Sequence, residues 1–220
     1  MNTSILNATD FRGTLQSGRD ELRGIYLENG NATRLLHGLA KLVDKLLVSI
    51  WDQLALPHSI TLIAVGGYGR GQLFPGSDID LLILLPDAPD TGHESNPSQN
   101  LEQFVSLLWD VGLEVGHSVR TLTQCLVEAK DITVQTNLLE ARFLAGNAAR
   151  FRDLDTAVRQ NLNPREFFEA KLLEQQERHA RFHNTASNLE PNLKENPGGL
   201  RDLQNILWIS RAMGLRGSWA

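Results

Sequence analysis

The stretch VGGYGRGQLFPGSDIDLLILL, residues 65–85, decides the fold. The apolar, β-branched run SITLIAV, residues 59–65, leads into it and predicts a buried strand that ends at the glycine pair Gly66 and Gly67. A short helix and a second strand over 77–85 are predicted to follow. The chain is therefore expected to bring a glycine turn close to the start of a buried strand.

Two carboxylates mark the start of that second strand. Side chains alternate between the faces of a strand, so Asp78 and Asp80 are predicted to project to one side, about 7 Å apart at Cα, while Ile79 and Leu81 point into the core. Like charges repel unless a cation neutralises them. Because carboxylate oxygens suit Mg²⁺, with Mn²⁺ as an alternative, Asp78 and Asp80 are predicted to be metal ligands and catalytic residues.

The glycine turn is the predicted phosphate site. Gly66 and Gly67 carry no side chains, so backbone N–H groups can approach a phosphate, and the helix that follows directs its positive end there. Arg70 can add a charge-assisted contact, although an exposed arginine on a short helix needs no such role. Ser77 is equally well explained as a phosphate contact or as a turn residue. A triphosphate between turn and carboxylates suits nucleotidyl transfer.

The rest of the chain predicts an α/β (α+β) fold with a small mixed β-sheet. A long amphipathic helix is predicted over 34–56, and a third strand over 112–122. Helical patterns then follow at 121–130, 131–145, 147–161 and 164–188. The predicted domains are an N-terminal helical segment over 1–57, a core over 58–146 and a helical connector over 147–220.

Composition restricts the class of protein. The chain is 41% apolar and 21% charged, which describes an ordinary globular protein. It has no apolar run near the roughly 20 residues of a membrane span and no signal-peptide pattern, so a cytoplasmic location and no membrane partner are expected. Cys125 is the only cysteine, which excludes an internal disulfide. The formal net charge of −5 makes a nucleic-acid partner unlikely.

Charged residues near the C-terminus are interpreted structurally. The run Lys171 to Arg181 is predicted to be a solvated helix face, and His179 a surface histidine. The turn at 196–199 is predicted to begin a helix, with Arg201 and Asp202 paired locally; closure over the nucleotide is the alternative.

Three blocks of sequence carry a resemblance to known proteins. They are GGYGRGQLFPGSDIDLLIL at 66–84, LWDVGLEVGHSVRT at 108–121 and ENPGGLRDLQ at 195–204. The first block resembles the nucleotidyltransferase superfamily that includes DNA polymerase β and the tRNA CCA-adding enzymes. All three blocks in this order resemble the bifunctional uridylyltransferase/uridylyl-removing enzymes of the nitrogen-signalling PII protein. The resemblance implies that 58–146 is the nucleotidyltransferase core.

The resemblance also implies an activity, namely Mg²⁺-dependent transfer of UMP from UTP to a tyrosine hydroxyl of PII with release of pyrophosphate. Asp78 and Asp80 match the family's metal-binding carboxylates, Gly66 and Gly67 its phosphate turn, and Arg70 the basic residue that follows. Family members continue with a hydrolase domain and two glutamine-sensing domains. Only the transferase activity is therefore expected of this chain.

Two departures from the family pattern leave alternatives open. Gln72 occupies a position where the family usually has glutamate. A third carboxylate is expected on a later strand to help activate the acceptor hydroxyl; Glu114 is the candidate, Asp110 competes with it, and Gly116 follows. The alternatives are a nucleotidyltransferase with another nucleotide or acceptor, and a catalytically silent nucleotide-binding regulatory module.

Overall fold

The computed structural model describes residues 7–87, 97–185, 190 and 192–215, without the side chains of residues 97 and 98. The chain divides into two compact units. The first unit is built from residues up to 125 together with 140–154, and the second from 126–139 together with residues from 155 onward. These units are defined by compactness, and the division at 57 and 146 by function stays a prediction.

The first unit holds a sheet with helices packed on it. Its elements are α1 (Ala8–Asn29), α2 (Ala32–Gln53), β1 (Thr61–Ala64), α3 (Gly66–Gly69), β2 (Ile79–Leu85), α4 (Pro97–Val111), β3 (Val115–Thr121) and β4 (Arg142–Gly146). Helices α5 (Leu122–Glu128) and α7 (Ala148–Asn161) contribute residues to both units. The second unit also contains α6 (Ile132–Leu139), α8 (Pro164–Arg181) and α9 (Leu200–Ala212).

The two long helices at the start have defined ends. The Asn7 side chain accepts a hydrogen bond from the Thr9 N–H, and Asn31 caps α2 by accepting from the Arg34 N–H at 2.9 Å. Gly30 ends α1 in the left-handed conformation that glycine adopts without strain. The predicted amphipathic helix is confirmed, since α2 buries one stripe at three- and four-residue spacing: Leu39, Ala40, Val43, Leu46, Leu47, Ile50 and Trp51.

The sheet is mixed, as predicted, with the strand order β3-β2-β1-β4. Strand β1 runs antiparallel to both β2 and β4, with Ala64 opposite Leu81. Strand β2 runs parallel to β3, with Asp80 in register with Gly116. Strands β3 and β2 therefore begin at the same edge of the sheet.

The main apolar core of the first unit covers one face of the sheet. Ile79, Leu81 and Ile83 of β2 lie in a buried cluster with residues of α1, α2 and α4. Within that cluster, Trp51 meets Phe104 edge to face at 5.4 Å between ring centroids. Because side chains alternate along a strand, Asp80 projects from the opposite face.

One predicted element is wrong. The helical pattern over 131–145 resolves into α6, which ends at Leu139, and strand β4, Arg142–Gly146. The β4 sequence RFLAG has no β-branched residue, and its leucine and alanine favour a helix, so local propensity gave no strand signal. Tertiary pairing with β1 determines the strand. A Cβ at Gly146 would lie 2.2 Å from the Ile60 carbonyl oxygen, so the strand ends where only glycine fits.

The second unit contradicts two predictions about charged residues. Lys171 and Arg178, in the run predicted to be solvated, are each only 2% exposed. Asp202 accepts hydrogen bonds from Arg178 at 2.5 Å and contacts His179 at 3.0 Å, rather than pairing with Arg201. The reason is that α8 packs against α9, which brings these side chains together across the helix pair. In the described part of the chain, no helix is long and apolar enough to cross a membrane.

Candidate active site

The two predicted carboxylates lie at the start of β2, where the parallel strand β3 also begins. Asp78 immediately precedes β2 and is exposed, and Asp80 is half-buried within it. The Ile79 N–H between them donates to the Glu114 carbonyl oxygen at 2.8 Å. Burial and the neighbouring Asp78 carboxylate raise the pKa of Asp80. The carboxylates are therefore close enough to repel each other.

The donor set fits a hard divalent cation. Within the residues that the structure describes, neither the Asp78 nor the Asp80 carboxylate forms an ion pair or a hydrogen bond. Mg²⁺ can neutralise a repelling pair of one exposed and one half-buried carboxylate that has no basic partner among the described residues. It needs only one or two carboxylates when phosphates and water complete its octahedron.

Among the described residues, no third carboxylate is grouped with this pair in a way that could hold a metal. Across residues 7–87 and 97–185 and the described residues beyond, no group of three or more His, Cys, Asp or Glu side chains is placed to hold a metal. Glu114 is exposed and directly precedes β3, beside Ile79. Asp110 uses its carbonyl oxygen to accept a hydrogen bond from Arg12. Glu114 and its competitor Asp110 stay predictions for this role.

The glycine turn lies directly beside the carboxylates. The Val65 N–H donates to the Asp80 carbonyl oxygen at 3.0 Å, and the short helix α3 begins at the next residue. Gly66 has a φ of +57°, a left-handed conformation that other residues adopt only with strain. Gly67 follows it, and the nearest atom to a Cβ placed there would be Arg70 Nη2, at 3.4 Å. The turn thus lies beside Asp80 in the sheet. That the turn and the carboxylates together bind a nucleotide stays a prediction.

Arg70 is more constrained than its sequence position suggests. Its Nη1 donates to Glu140 Oε2 at 2.6 Å, with the Arg70 side chain 13% exposed and the Glu140 side chain 1% exposed. From the sequence, Arg70 could be a free surface cation or a phosphate contact. The structure gives it a buried partner on one side and the Gly67 backbone on the other.

A second ion pair supports the same turn. Arg142 donates to both carboxylate oxygens of Asp44, at 2.8 and 3.0 Å, and to the carbonyl oxygens of Tyr68 and Gly69, at 3.3 Å each. The Tyr68 hydroxyl donates to Asp44 at 2.5 Å. Burial, and then the Asp44 carboxylate, raise the pKa of Tyr68, so its phenol stays protonated.

Asp44, Glu140 and Arg142 were missed from the sequence. The signal that could have found Glu140 and Arg142 is this pair of opposite charges within the otherwise apolar run LLEARFLA, residues 138–145. That signal was hidden because the run was interpreted as one helix. The backbone of Glu140 also packs closely against the turn at Gly69, since a Cβ there would lie 2.1 Å from the Glu140 carbonyl oxygen.

Ser77 belongs to the turn that leads into β2. It is exposed, and its backbone N–H donates to the Phe74 carbonyl oxygen at 3.1 Å, while Gly76 has a φ of +75°. This backbone bond fits the turn interpretation of Ser77. Its role as a phosphate contact stays a prediction.

Comparisons with known proteins find two family models and several similar enzymes. A nucleotidyltransferase domain model matches residues 34–136, and a model described as GlnD PII-uridylyltransferase matches residues 166–220. A bifunctional uridylyltransferase/uridylyl-removing enzyme of Nitrosospira multiformis is 51% identical over 98% of this chain and 25% of its own length. Enzymes of the same name from Burkholderia orbicola and Burkholderia mallei are each 48% identical over 96% of this chain and 24% of theirs.

The chain thus spans about a quarter of the length of the curated relatives that it matches. The matched part carries the carboxylate pair and the glycine turn, and both family models fall within it. Over nearly its whole length the chain is therefore similar in sequence to the N-terminal part of the bifunctional uridylyltransferase/uridylyl-removing enzymes, and it contains a nucleotidyltransferase domain.

Proposed function

We propose that this chain carries out the Mg²⁺-dependent transfer of UMP from UTP to a tyrosine hydroxyl of a PII protein, with release of pyrophosphate. The observation that carries the proposal is the 3.0 Å hydrogen bond from the Val65 N–H to the Asp80 carbonyl oxygen. It fixes a glycine turn suited to phosphates beside two carboxylates suited to a divalent cation.

The choice of nucleotide and acceptor is supported by the relatives. The matching enzymes are named for uridylyl transfer, and one family model is described by PII. Those names belong to the relatives and are extended to this chain as part of the proposal. A cytoplasmic location fits the same partner, and the net charge of −5 agrees with a protein acceptor better than with nucleic acid.

The residues divide the work by position. Asp78 and Asp80 hold the cation, and the backbone of Gly66 and Gly67 binds the phosphates. When bound, the cation neutralises charge on the phosphates and on the leaving pyrophosphate. The tyrosine oxygen attacks the α-phosphorus, the bond to pyrophosphate breaks, and Glu114 is the proposed acceptor of the hydroxyl proton.

The test is transfer of label from α-labelled UTP to purified PII in the presence of Mg²⁺. We expect transfer by the wild type and a loss of at least 10²-fold in Asp80→Asn, a magnitude typical of removing one preorganised electrostatic group. Asp20→Asn, the same change on the exposed surface of α1, is the control and should transfer normally. Undiminished turnover by Asp80→Asn would contradict the proposal.

The same assay separates the alternatives. Preferential use of ATP over UTP would indicate another nucleotide, and consumption of nucleotide without labelling of PII would indicate another acceptor. Nucleotide bound with Mg²⁺ but never consumed would indicate a silent regulatory module. The latter is favoured by one observation, the lack of a third carboxylate grouped with Asp78 and Asp80 among the described residues.

A further inference from the structure

We propose that Glu140 is a positioning residue for nucleotide binding. It holds the Arg70 guanidinium so that Nη2 lies at the glycine turn and binds a phosphate of the nucleoside triphosphate. This inference rests on the proposed function and deepens it. It assigns a role to Glu140, which lies two residues before β4 and about 70 residues from the glycine turn in sequence.

The Glu140 carboxylate sets the orientation of the Arg70 guanidinium. Arg70 Nη1 is fixed on Glu140 Oε2 at 2.6 Å. A guanidinium is rigid and planar, so fixing one terminal nitrogen sets the direction of the other. Nη2 lies 3.4 Å from the position of a Cβ at Gly67. The positively charged Nη2 group of Arg70 therefore lies at Gly67, whose lack of a side chain leaves room for a phosphate.

The ion pair between Glu140 and Arg70 is buried. The Glu140 side chain is only 1% exposed, and an ion pair at that depth contributes little net stability, because desolvation offsets the attraction. Stability alone is thus a weak reason for a carboxylate at this position. Aiming a partner is a stronger reason, since Glu140 also contacts the turn through its backbone, at the site where a Cβ on Gly69 would collide.

Two arginines, Arg70 and Arg142, lie at the same turn and differ in how their donors are used. Arg142 donates from all three guanidinium nitrogens, to Asp44 and to two turn carbonyls, so its donors are used within the protein. Arg70 donates from Nη1 alone, and Nη2 forms no hydrogen bond with the described residues. Arg142 therefore builds the turn, whereas Arg70 keeps a donor for an anion outside it.

The experiment is a double-mutant cycle on nucleotide affinity. UTP with Mg²⁺ is titrated calorimetrically into the wild type, Glu140→Gln, Arg70→Lys and the double variant, and KM and kcat for UMP transfer are measured in parallel. We expect Glu140→Gln to weaken UTP binding and raise KM about 10-fold, the scale of one charge-assisted hydrogen bond, with kcat changed less than about threefold. The double variant should bind no worse than Arg70→Lys alone.

A control isolates stability from positioning. Phe104→Leu, in the core on the other face of the sheet, should lose stability while keeping wild-type affinity for UTP. Glu140→Asp retains the charge on a shorter side chain, and it should recover part of the affinity lost in Glu140→Gln. It also replaces Glu140→Gln in the cycle if that variant does not fold.

The outcomes distinguish the two proposals. Wild-type affinity in Glu140→Gln, or additive losses in the double variant, would overturn the positioning role while leaving the transferase assignment intact. If the variants change UTP affinity as expected but the wild type transfers no UMP, only the proposed reaction would be contradicted. A wild-type protein that binds no nucleotide would overturn both.

Discussion

Gly116 lies beside Asp80 in the parallel register of β2 and β3, and a Cβ added to Gly116 would stand 3.0 Å from Asp80 Oδ1. The position next to the carboxylate is thus kept open by a glycine. From the sequence, Gly116 was only the residue that failed to supply a third carboxylate. In the structure, it leaves the space beside the Asp80 carboxylate open, as the proposed role of Asp80 in holding a cation requires.

The first prediction follows from this contact. Gly116→Ala should displace the Asp80 carboxylate by a few tenths of an ångström and raise the Mg²⁺ concentration needed for half-maximal UMP transfer by about 10-fold, the scale seen when the support of a metal ligand is disturbed. A Mg²⁺ titration of transfer activity measures it. Gly13→Ala is the control, since a Cβ there has open space, and an unchanged Mg²⁺ requirement in Gly116→Ala would count against the contact.

The second prediction concerns the stability of Asp80→Asn. Burial and Asp78 raise the pKa of Asp80, so ionisation of Asp80 is less favourable in the folded state than in the unfolded state. Its charge therefore opposes folding at neutral pH, and this effect is relieved as the pH falls through the folded pKa. Asp80→Asn should be more stable than the wild type at pH 7 without divalent cations.

Urea unfolding in EDTA at neutral and acidic pH tests that sign. The advantage of Asp80→Asn should shrink on acidification, because the wild-type carboxylate then becomes neutral too. Adding Mg²⁺ at pH 7 should stabilise the wild type more than the variant. A variant that is less stable at neutral pH would show that Asp80 has a partner the proposal does not provide.

Features with a local signal were predictable from the sequence. The alternation of Asp78, Ile79 and Asp80 and the adjoining glycine pair gave the strand, the turn and the candidate site, because period and residue type are read within one element. The stripe of α2 was predictable for the same reason. Residues that act through contacts distant in sequence were not predictable in this way.

The missed residues depend on the order of strands. Glu140 and Arg142 reach the turn only because β4 pairs with β1, and that pairing joins segments about eighty residues apart. No local pattern encodes such a pairing, and RFLAG even favours a helix. Asp202 is a similar case, since its partners Arg178 and His179 lie on another helix.

The third prediction concerns the second unit at acidic pH. Partial burial opposes ionisation of Asp202, but the Gly198 N–H, Arg178 and His179 together outweigh it and lower its pKa to about 2. A depressed pKa means that the carboxylate stabilises the fold above its ordinary pKa, and that this stabilisation is lost as the pH falls toward the folded value. Asp202→Asn should cost about 2 kcal/mol at pH 7.

Denaturant unfolding between neutral pH and pH 2 checks this prediction. The difference between wild type and Asp202→Asn should be constant above about pH 5 and should be largely lost by about pH 2. Asp155→Asn, which removes an exposed pair with Arg159 on one helix, is the control and should cost about 0.5 kcal/mol or less. A pH-independent difference would assign the loss to packing instead of charge.

The fourth prediction contrasts two glycines of the same turn. A Cβ at Gly69 would lie 2.1 Å from the Glu140 carbonyl oxygen, a backbone atom that cannot move away, so Gly69→Ala should destabilise the first unit by at least about 2 kcal/mol. A Cβ at Gly67 would meet only Arg70 Nη2, at 3.4 Å. Gly67→Ala should therefore fold with near-normal stability but bind UTP at least about 10-fold more weakly, because the methyl group occupies the place of a phosphate.

Thermal unfolding and UTP titration of both variants separate folding from binding. Gly67→Ala is the informative case, because alanine in a helical turn is intrinsically favoured over glycine by about 0.5–1 kcal/mol. Loss of affinity without loss of stability can then arise only from the space above the turn. Unchanged UTP affinity in a stable Gly67→Ala protein would place the triphosphate elsewhere. It would also contradict the proposal that Arg70 Nη2 binds a phosphate at this glycine.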